Sequence, residues 1–300
     1  MTEATSLPMW RSMLFVPANV ERFVDKAHTR GADAIILDLE DSIMPAEKAE
    51  ARACVADAAA KVGRGGADVL VRINRPWRLA VADLEAVVSP AISALILPKV
   101  PDAGHIRAIA EIVDELEAER GMRIGHTRFD ALLETPDAIF RAREIAGAHP
   151  RLVAMNTGSE DLATEMRMPP EPDGLFHPSM RVALAARAAG ILPLGFIGTL
   201  ADFTDLDGFR ALIRRARKLG FEGASCIHPA QVPILNEEFA PTADEVDYAR
   251  RVIAAADEAA AAGRGSATVD GKMIDIPIVD RARLTLARWE RIEGNVAGDD

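Results

Sequence analysis

The feature that most constrains this chain is a rhythm: eight short apolar runs rich in β-formers, each followed by a longer, amphipathic, often alanine-rich stretch. The runs are Met13–Val16, Ala34–Leu39, Val69–Asn74, Ala94–Pro98, Asp130–Glu134, Leu152–Asn156, Leu194–Ile197 and Ala224–Ile227. Such alternation is the signature of a parallel sheet joined by crossover helices, and eight units predict a TIM (β/α)8 barrel. The competing doubly wound sheet normally carries a glycine-rich turn after its first strand, and "FVPANVERF" contains no glycine. Thr135 followed by Pro136 fits an N-cap and first helical position, which leaves Glu134 as the last residue of its strand. Thr242 and Glu245 form a capping box that opens a long helix reaching about Ala262. The expectation is a barrel over 1–240 and a C-terminal extension over 241–300: a helix, a lid loop and a terminal helix. The segment "GRGSATVDGKMIDIPIVDRA" reads as a glycine-punctuated loop with apolar anchors at Met273-Ile274 and Ile276.

Charge and cysteine content narrow the classes. A net charge of −11 argues against a nucleic-acid backbone as the main partner, because that binding draws on clustered Lys and Arg. Two cysteines, Cys54 and Cys226, with no CxxC or Cys/His spacing, supply neither a disulfide framework nor a structural zinc site. The N-terminal stretch lacks a basic segment followed by a long apolar one, and no apolar run reaches about 18 residues without a charge. The expectation is a cytoplasmic protein with no membrane partner.

In a TIM barrel the C-terminal ends of the strands build the active site. Here polar residues collect at those positions: Asp38, Glu40 and Asp41 after the second strand, Arg72 in the third, Lys99 after the fourth, Glu134 at the end of the fifth, Gly158–Asp161 after the sixth and His228 after the eighth. One acid alone reads as a salt bridge or a helix cap. Several converging carboxylates repel one another unless a cation sits among them or some are protonated. A hard divalent ion is the economical solution: Mg²⁺ takes one or two protein carboxylates, here Glu134 and Asp161, and leaves its other positions to water and substrate oxygens. Asp38, Glu40 and Asp41 would then act on it through waters.

Eight segments, in order, resemble the citrate lyase β-subunit-like proteins of the HpcH/HpaI aldolase superfamily: "RSMLFVP" at Arg11–Pro17, "DLEDS" at Asp38–Ser42, "VRIN" at Val71–Asn74, "LPK" at Leu97–Lys99, "LLET" at Leu132–Thr135, "GSED" at Gly158–Asp161, "IHP" with Gln231, and "MIDIP" at Met273–Pro277. The resemblance implies a trimer-forming barrel that makes or breaks a carbon–carbon bond in a 3-hydroxyacyl-CoA thioester, with Mg²⁺ held by Glu134 and Asp161. It implies that Arg72 grips the carboxylate of the keto-acid fragment, assisted by backbone amides in the stretch Gly158–Asp161, with Gly158, Ser159, Arg11 and Lys48 expected to bind substrate. It further implies that Asp275, on the lid of a neighbouring subunit, is the acid/base. Relatives often carry a lysine soon after the strand-eight glycine, where this chain has Ala224 and Ser225. A CoA phosphate contact is therefore missing, moved to a cation such as Lys48 or Arg264, or unnecessary.

The leading expectation is an Mg²⁺-dependent lyase acting on a malyl-CoA, citramalyl-CoA or citryl-CoA type of substrate. The alternatives are an aldolase on a free hydroxy-keto acid, a thioesterase on the same acyl-CoA, and a non-catalytic barrel subunit. His228 stays outside the catalytic set, since a His-Pro pair at a barrel rim serves equally well as a structural turn.

Overall fold

The computed structural model describes residues 7–199 and 204–296; the first six residues of the N-terminal stretch read above lie outside it. Eight parallel strands form one sheet: β1 (Ser12–Pro17), β2 (Ala34–Asp38), β3 (Asp68–Arg72), β4 (Ala94–Leu97), β5 (Arg128–Leu133), β6 (Leu152–Thr157), β7 (Leu192–Pro193) and β8 (Ala224–Cys226). Each strand pairs with its successor from β1 to β7, and β8 returns to lie against β1. The remaining gap closes through a parallel bridge between Leu194 and Gly223, with Gly195 N donating to Gly223 O at 2.8 Å and Glu222 N to Pro193 O at 3.0 Å. This is the (β/α)8 barrel that the rhythm predicts. Its helices are α1 (Glu21–Ala27), α2 (Lys48–Val62), α3 (Trp77–Val87), α4 (Ala103–Glu119), α5 (Pro136–Phe140), α6 (Ala142–Ala146), α7 (Ser159–Glu165), α8 (Pro172–Ala189), α9 (Leu206–Lys218) and α10 (Gln231–Glu238).

Alternation along the strands decides what reaches the site. Outward-facing Ile35, Leu37, Val69, Val71 and Leu95 join Val55, Ile106 and Val113 of the helices in one buried cluster, whereas inward-facing Met13, Ile36, Leu70, Ile96, Leu132 and Ala154 form a second one inside the barrel. Each such side chain contributes about 1.5–3 kcal/mol when fully buried. Because side chains on one face recur every second residue, the inward rows continue upward from apolar to polar: Ile36 to Asp38, Leu70 to Arg72, Leu132 to Glu134, Ala154 to Asn156. Asp38 and Arg72 are register partners on adjacent strands. The polar mouth is thus the last layer of the barrel interior.

The opposite face is a structural seal. Trp10 Nε1 donates to Asp68 at 2.7 Å, and Arg151 is locked to Glu117 and Asp114. Arg11 belongs to this face: it precedes β1 and donates to Asp33 through its backbone N, Nε and Nη2 at 2.7–2.8 Å. Its expected substrate contact is corrected on that ground, since the N-terminal end of a barrel strand points away from the mouth.

The chain divides after Phe239 into two compact units. The second contains α11 (Ala243–Ala261), the antiparallel hairpin β9 (Ala267–Val269) and β10 (Lys272–Ile274), and α12 (Ile276–Val296). The capping box at Thr242 and Glu245 is present in both directions. Two expectations are revised. The seventh strand is Leu192–Pro193 rather than Leu194–Ile197, because Gly195 at φ +107 turns the chain out of the ladder. The stretch after α11 is not an open loop: Asp270 and Gly271, at φ 50 and 74, form a tight turn that pairs β9 with β10. Arg251 grips Asp270 at 2.6 and 3.0 Å. Of the three apolar anchors only Ile274 is buried; Met273 and Ile276 are exposed. Among the described residues no helix is long and apolar enough to cross a membrane.

Candidate active site

Asp38 is the pivot of the mouth. Arg72 donates to its two oxygens from Nε and Nη2, both at 2.7 Å, while the backbone N–H groups of Glu40 and Ser42 reach the same carboxylate at 3.0 and 3.1 Å. Burial alone would raise the Asp38 pKa, but the Arg72 guanidinium and these donors outweigh it and hold the carboxyl below its ordinary value. Arg72 also stacks over the Phe15 ring at 4.7 Å and places Nη1 3.1 Å from Glu40. A planar fork held bidentately, with an aromatic face beneath it, is a fixed group.

Lys99 supplies the second cation. It follows β4 at a left-handed φ of 51, an uncommon conformation for a residue with a Cβ. Its Nζ lies 2.8 Å from Glu40, 3.4 Å from Asp161, 3.8 Å from Asp41 and 3.9 Å from Glu134. Burial disfavours its charge, yet the surrounding carboxylates raise its pKa above the usual lysine value. One ammonium therefore stands where four carboxylates converge.

Glu134 is the member least satisfied by the protein. Its side chain is 4% exposed and its Oε2 has no hydrogen-bond partner. Burial, reinforced by the charge of Asp161, pushes its pKa up to about 8. Gly158 makes room for it: a Cβ there would lie 2.4 Å from Glu134 Cγ and 2.9 Å from Cδ. Gly158 N is itself committed to Leu133 O at 3.1 Å, so the N–H groups left by helix geometry at this turn belong to Ser159, Glu160 and Asp161. Among the described residues no three His, Cys, Asp or Glu side chains form a ready-made metal cluster. What the structure offers is a buried carboxylate with one oxygen that has no hydrogen-bond partner, beside a more exposed one, with a lysine ammonium already attracted to the space between them. That donor set fits a hard divalent cation that needs few protein ligands.

A cavity of about 920 Å³ opens over these groups, lined by Asp38, Asp41, Arg72, Glu134, the Gly158–Asp161 turn, Leu132 and Asn156. Lys48 does not line it: its Nζ donates to the backbone oxygens of Leu39 and Glu40 at 2.8 and 2.5 Å, which pins the acidic loop from behind. Its expected substrate contact is corrected accordingly. The cations at the cavity wall are instead Arg22 and Lys26, one turn apart on α1, and Arg30 just beyond it. Their spacing in "ERFVDKAHTR" was the available signal. His228 also lines the cavity, and its Nδ1 accepts from Ala230 N at 3.2 Å, which shapes the turn before α10. Asp275 lies in the second unit between β10 and α12; it is exposed, and its carbonyl accepts from Ile278 and Val279 N at 3.1 Å.

The chain is similar to several known proteins. The citrate lyase subunit beta of Escherichia coli (strain K12) is 38% identical over 285 residues, 93% of each chain. A (3S)-malyl-CoA thioesterase of Cereibacter sphaeroides is 38% identical over 291 residues, 94% of this chain and 95% of that one. The fold is similar to that of the protein CitE from Mycobacterium tuberculosis in complex with magnesium, acetoacetate and coenzyme A, with 30% identity, a TM-score of 0.73, and coverage of 95% of this chain and 99% of that one. The sequence model of HpcH/HpaI aldolase/citrate lyase matches residues 11–229, and the chain belongs to that family.

Proposed function

We propose that this protein is an Mg²⁺-dependent carbon–carbon lyase that cleaves a 3-hydroxyacyl-CoA into a keto acid and an acyl-CoA. The observation that carries the reading is Glu134, a buried carboxylate with an unpartnered oxygen beside Asp161 at the mouth of a family barrel. Glu134 and Asp161 would hold the ion; Asp38, Glu40 and Asp41 would surround it through waters. Bound Mg²⁺ supplies Lewis-acid polarisation of the substrate oxygen at the carbon that is cleaved.

The chain's own groups do the rest. Arg72, fixed by Asp38 and Phe15, orients the carboxylate of the acid fragment through its remaining donors, and the N–H groups from Ser159 to Asp161 contribute further hydrogen bonds to it. Asp275, on the second unit of a neighbouring subunit in a trimer, delivers a proton to the acyl-CoA carbon as the bond breaks and removes one in the synthetic direction. Arg22, Lys26 and Arg30 are suited to the phosphates of CoA, which accounts for the absence of a lysine at Ala224 and Ser225. We read the protein as cytoplasmic, with a small-molecule acyl-CoA as its partner. The test is a panel of malyl-CoA, citramalyl-CoA and citryl-CoA assayed with Mg²⁺ and with EDTA. Cleavage that EDTA removes and Mg²⁺ restores is expected; EDTA-resistant turnover would sink the metal role.

A second reading has a specific observation behind it, the 38% identity to a (3S)-malyl-CoA thioesterase. The same mouth could direct water at the thioester carbonyl, leaving a hydroxy acid and free CoA.

Two smaller predictions follow from the geometry. Gly158→Ala forces the added methyl against Glu134 Cγ and Cδ, so that the carboxylate must shift, and is expected to weaken Mg²⁺ binding by roughly 10–100-fold; titration calorimetry reads this, and parental affinity would show that Glu134 is not the ligand. Arg72→Lys keeps the charge but loses the fork, and is expected to cost at least about tenfold in kcat/KM, or about 1.4 kcal/mol. Kinetics equal to the parent would reduce Arg72 to a partner of Asp38.

A further inference from the structure

Below the mouth the barrel interior contains one pair that an inert core would not need. Asp130 lies on β5 four residues before Glu134, on the same inward face, and is fully buried. Its register partners are Ile96 and Ala154, and the next inward residue above it is Leu132. Its carboxyl accepts from Asn156 Nδ2 at 3.2 and 3.4 Å. Burial pushes its pKa up to about 7, against the opposing pull of the amide. Placing a carboxyl and an amide among Ile, Ala and Leu costs stability that an apolar pair would not, and departures of this kind are expected where function requires them.

Asn156 connects this pair to the cavity. It is the register partner of Leu132, both residues line the cavity, and Asn156 is 8% exposed. Gly195 faces it across the gap: a Cβ there would lie 3.6 Å from Asn156 Cβ, and φ +107 disfavours any side chain at that position. The amide has two N–H donors and one acceptor. Asp130 engages its nitrogen through both carboxylate oxygens, which fixes the rotamer and leaves the carbonyl oxygen for the cavity side. We infer that Asn156, positioned by Asp130, is a specificity residue at the cavity floor that recognises an uncharged hydrogen-bonding substituent, such as a hydroxymethyl group, on the keto-acid fragment.

A methyl group at the floor would leave the amide's free carbonyl acceptor unmatched, which a hydroxyl would not. A carboxylate there would be set against the Asp130 carboxyl beneath the same amide. The inference rests on the proposed reading only in taking the occupant to be a keto acid, and its test does not depend on turnover.

The test is calorimetric titration of the Mg²⁺-loaded full chain with pyruvate, hydroxypyruvate and oxaloacetate. Hydroxypyruvate is expected to bind at least about tenfold more tightly than either of the others, a difference of about 1.4 kcal/mol. Asn156→Leu should abolish that preference, with hydroxypyruvate losing at least about tenfold more affinity than pyruvate, which a merely structural defect would not do. Asp130→Leu should weaken the preference, and Asp130→Asn, whose amide oxygen can still accept from Asn156, should restore most of it. Equal affinity for pyruvate and hydroxypyruvate, tighter binding of oxaloacetate, no binding of hydroxypyruvate, or a preference that survives Asn156→Leu would each overturn the inference. Cleavage of acyl-CoA substrates by the same preparation would show that the reaction stands even if the floor does not.

Discussion

Glu134→Gln is expected to lower Mg²⁺ affinity by at least about 100-fold and to abolish turnover, with Asp161→Asn following in the same direction. Loss of an outer partner of a metal ligand already costs 10–100-fold, and loss of a ligand charge costs more. The fold should tolerate the change in Glu134. Its carboxyl is held up at about 8 by burial and by Asp161, above its unfolded value of 4.5. The folded chain therefore retains a proton that the unfolded chain releases, so this group subtracts stability as pH rises from about 4.5 towards 8. A neutral glutamine removes that penalty, and the metal-free variant at pH 8 should melt no lower than the parent. Calorimetry with Mg²⁺ and thermal unfolding separate the two effects. Unchanged Mg²⁺ affinity in both variants would remove the proposed site.

Asp275→Ala is expected to lower turnover by about 10²–10⁴-fold without changing Mg²⁺ affinity or assembly, because it removes proton transfer rather than ligation. The residue is suited to such a role: it is exposed, and it sits where the β9–β10 hairpin hands over to α12, a junction held by buried Ile274 and by the hydrogen bonds from Ile278 and Val279 N to the Asp275 carbonyl. If it serves a neighbouring barrel, an Asp275→Ala subunit and a Glu134→Gln subunit, each inactive alone, recover partial activity when co-assembled, since some interfaces unite an intact mouth with an intact acid. Verified mixed oligomers without recovery would confine Asp275 to its own barrel or remove it from catalysis.

Much of this architecture was legible because the physics behind it is local. A parallel strand buried on both faces needs an unbroken apolar run, and Ile35, Ile36 and Leu37 or Leu95, Ile96 and Leu97 announce one. Strand seven was misplaced because its pairing ends at a glycine turn, so the apolar run Leu194–Ile197 outlasts the ladder. The β9–β10 hairpin was missed although Asp-Gly between short β-forming runs is its usual mark. Arg11 could have been set aside by the barrel rule alone, since it precedes its strand. The partners of Lys48 and Lys99 could not be read, because both lie about ten and sixty positions from the carboxylates or carbonyls they meet. The Asp130–Asn156 pair was equally hidden: it depends on which face each strand turns inward and on the stagger between β5 and β6.

If the mouth breaks a carbon–carbon bond, the identity of the products shows it. Citramalyl-CoA, malyl-CoA and citryl-CoA, each incubated with the Mg²⁺-loaded protein and analysed by mass spectrometry, are expected to include at least one substrate that yields a keto acid and the shortened acyl-CoA in equal amounts. Free CoA together with the intact hydroxy acid, and no keto acid from any of the three, would contradict the account and establish the hydrolytic reading in its place.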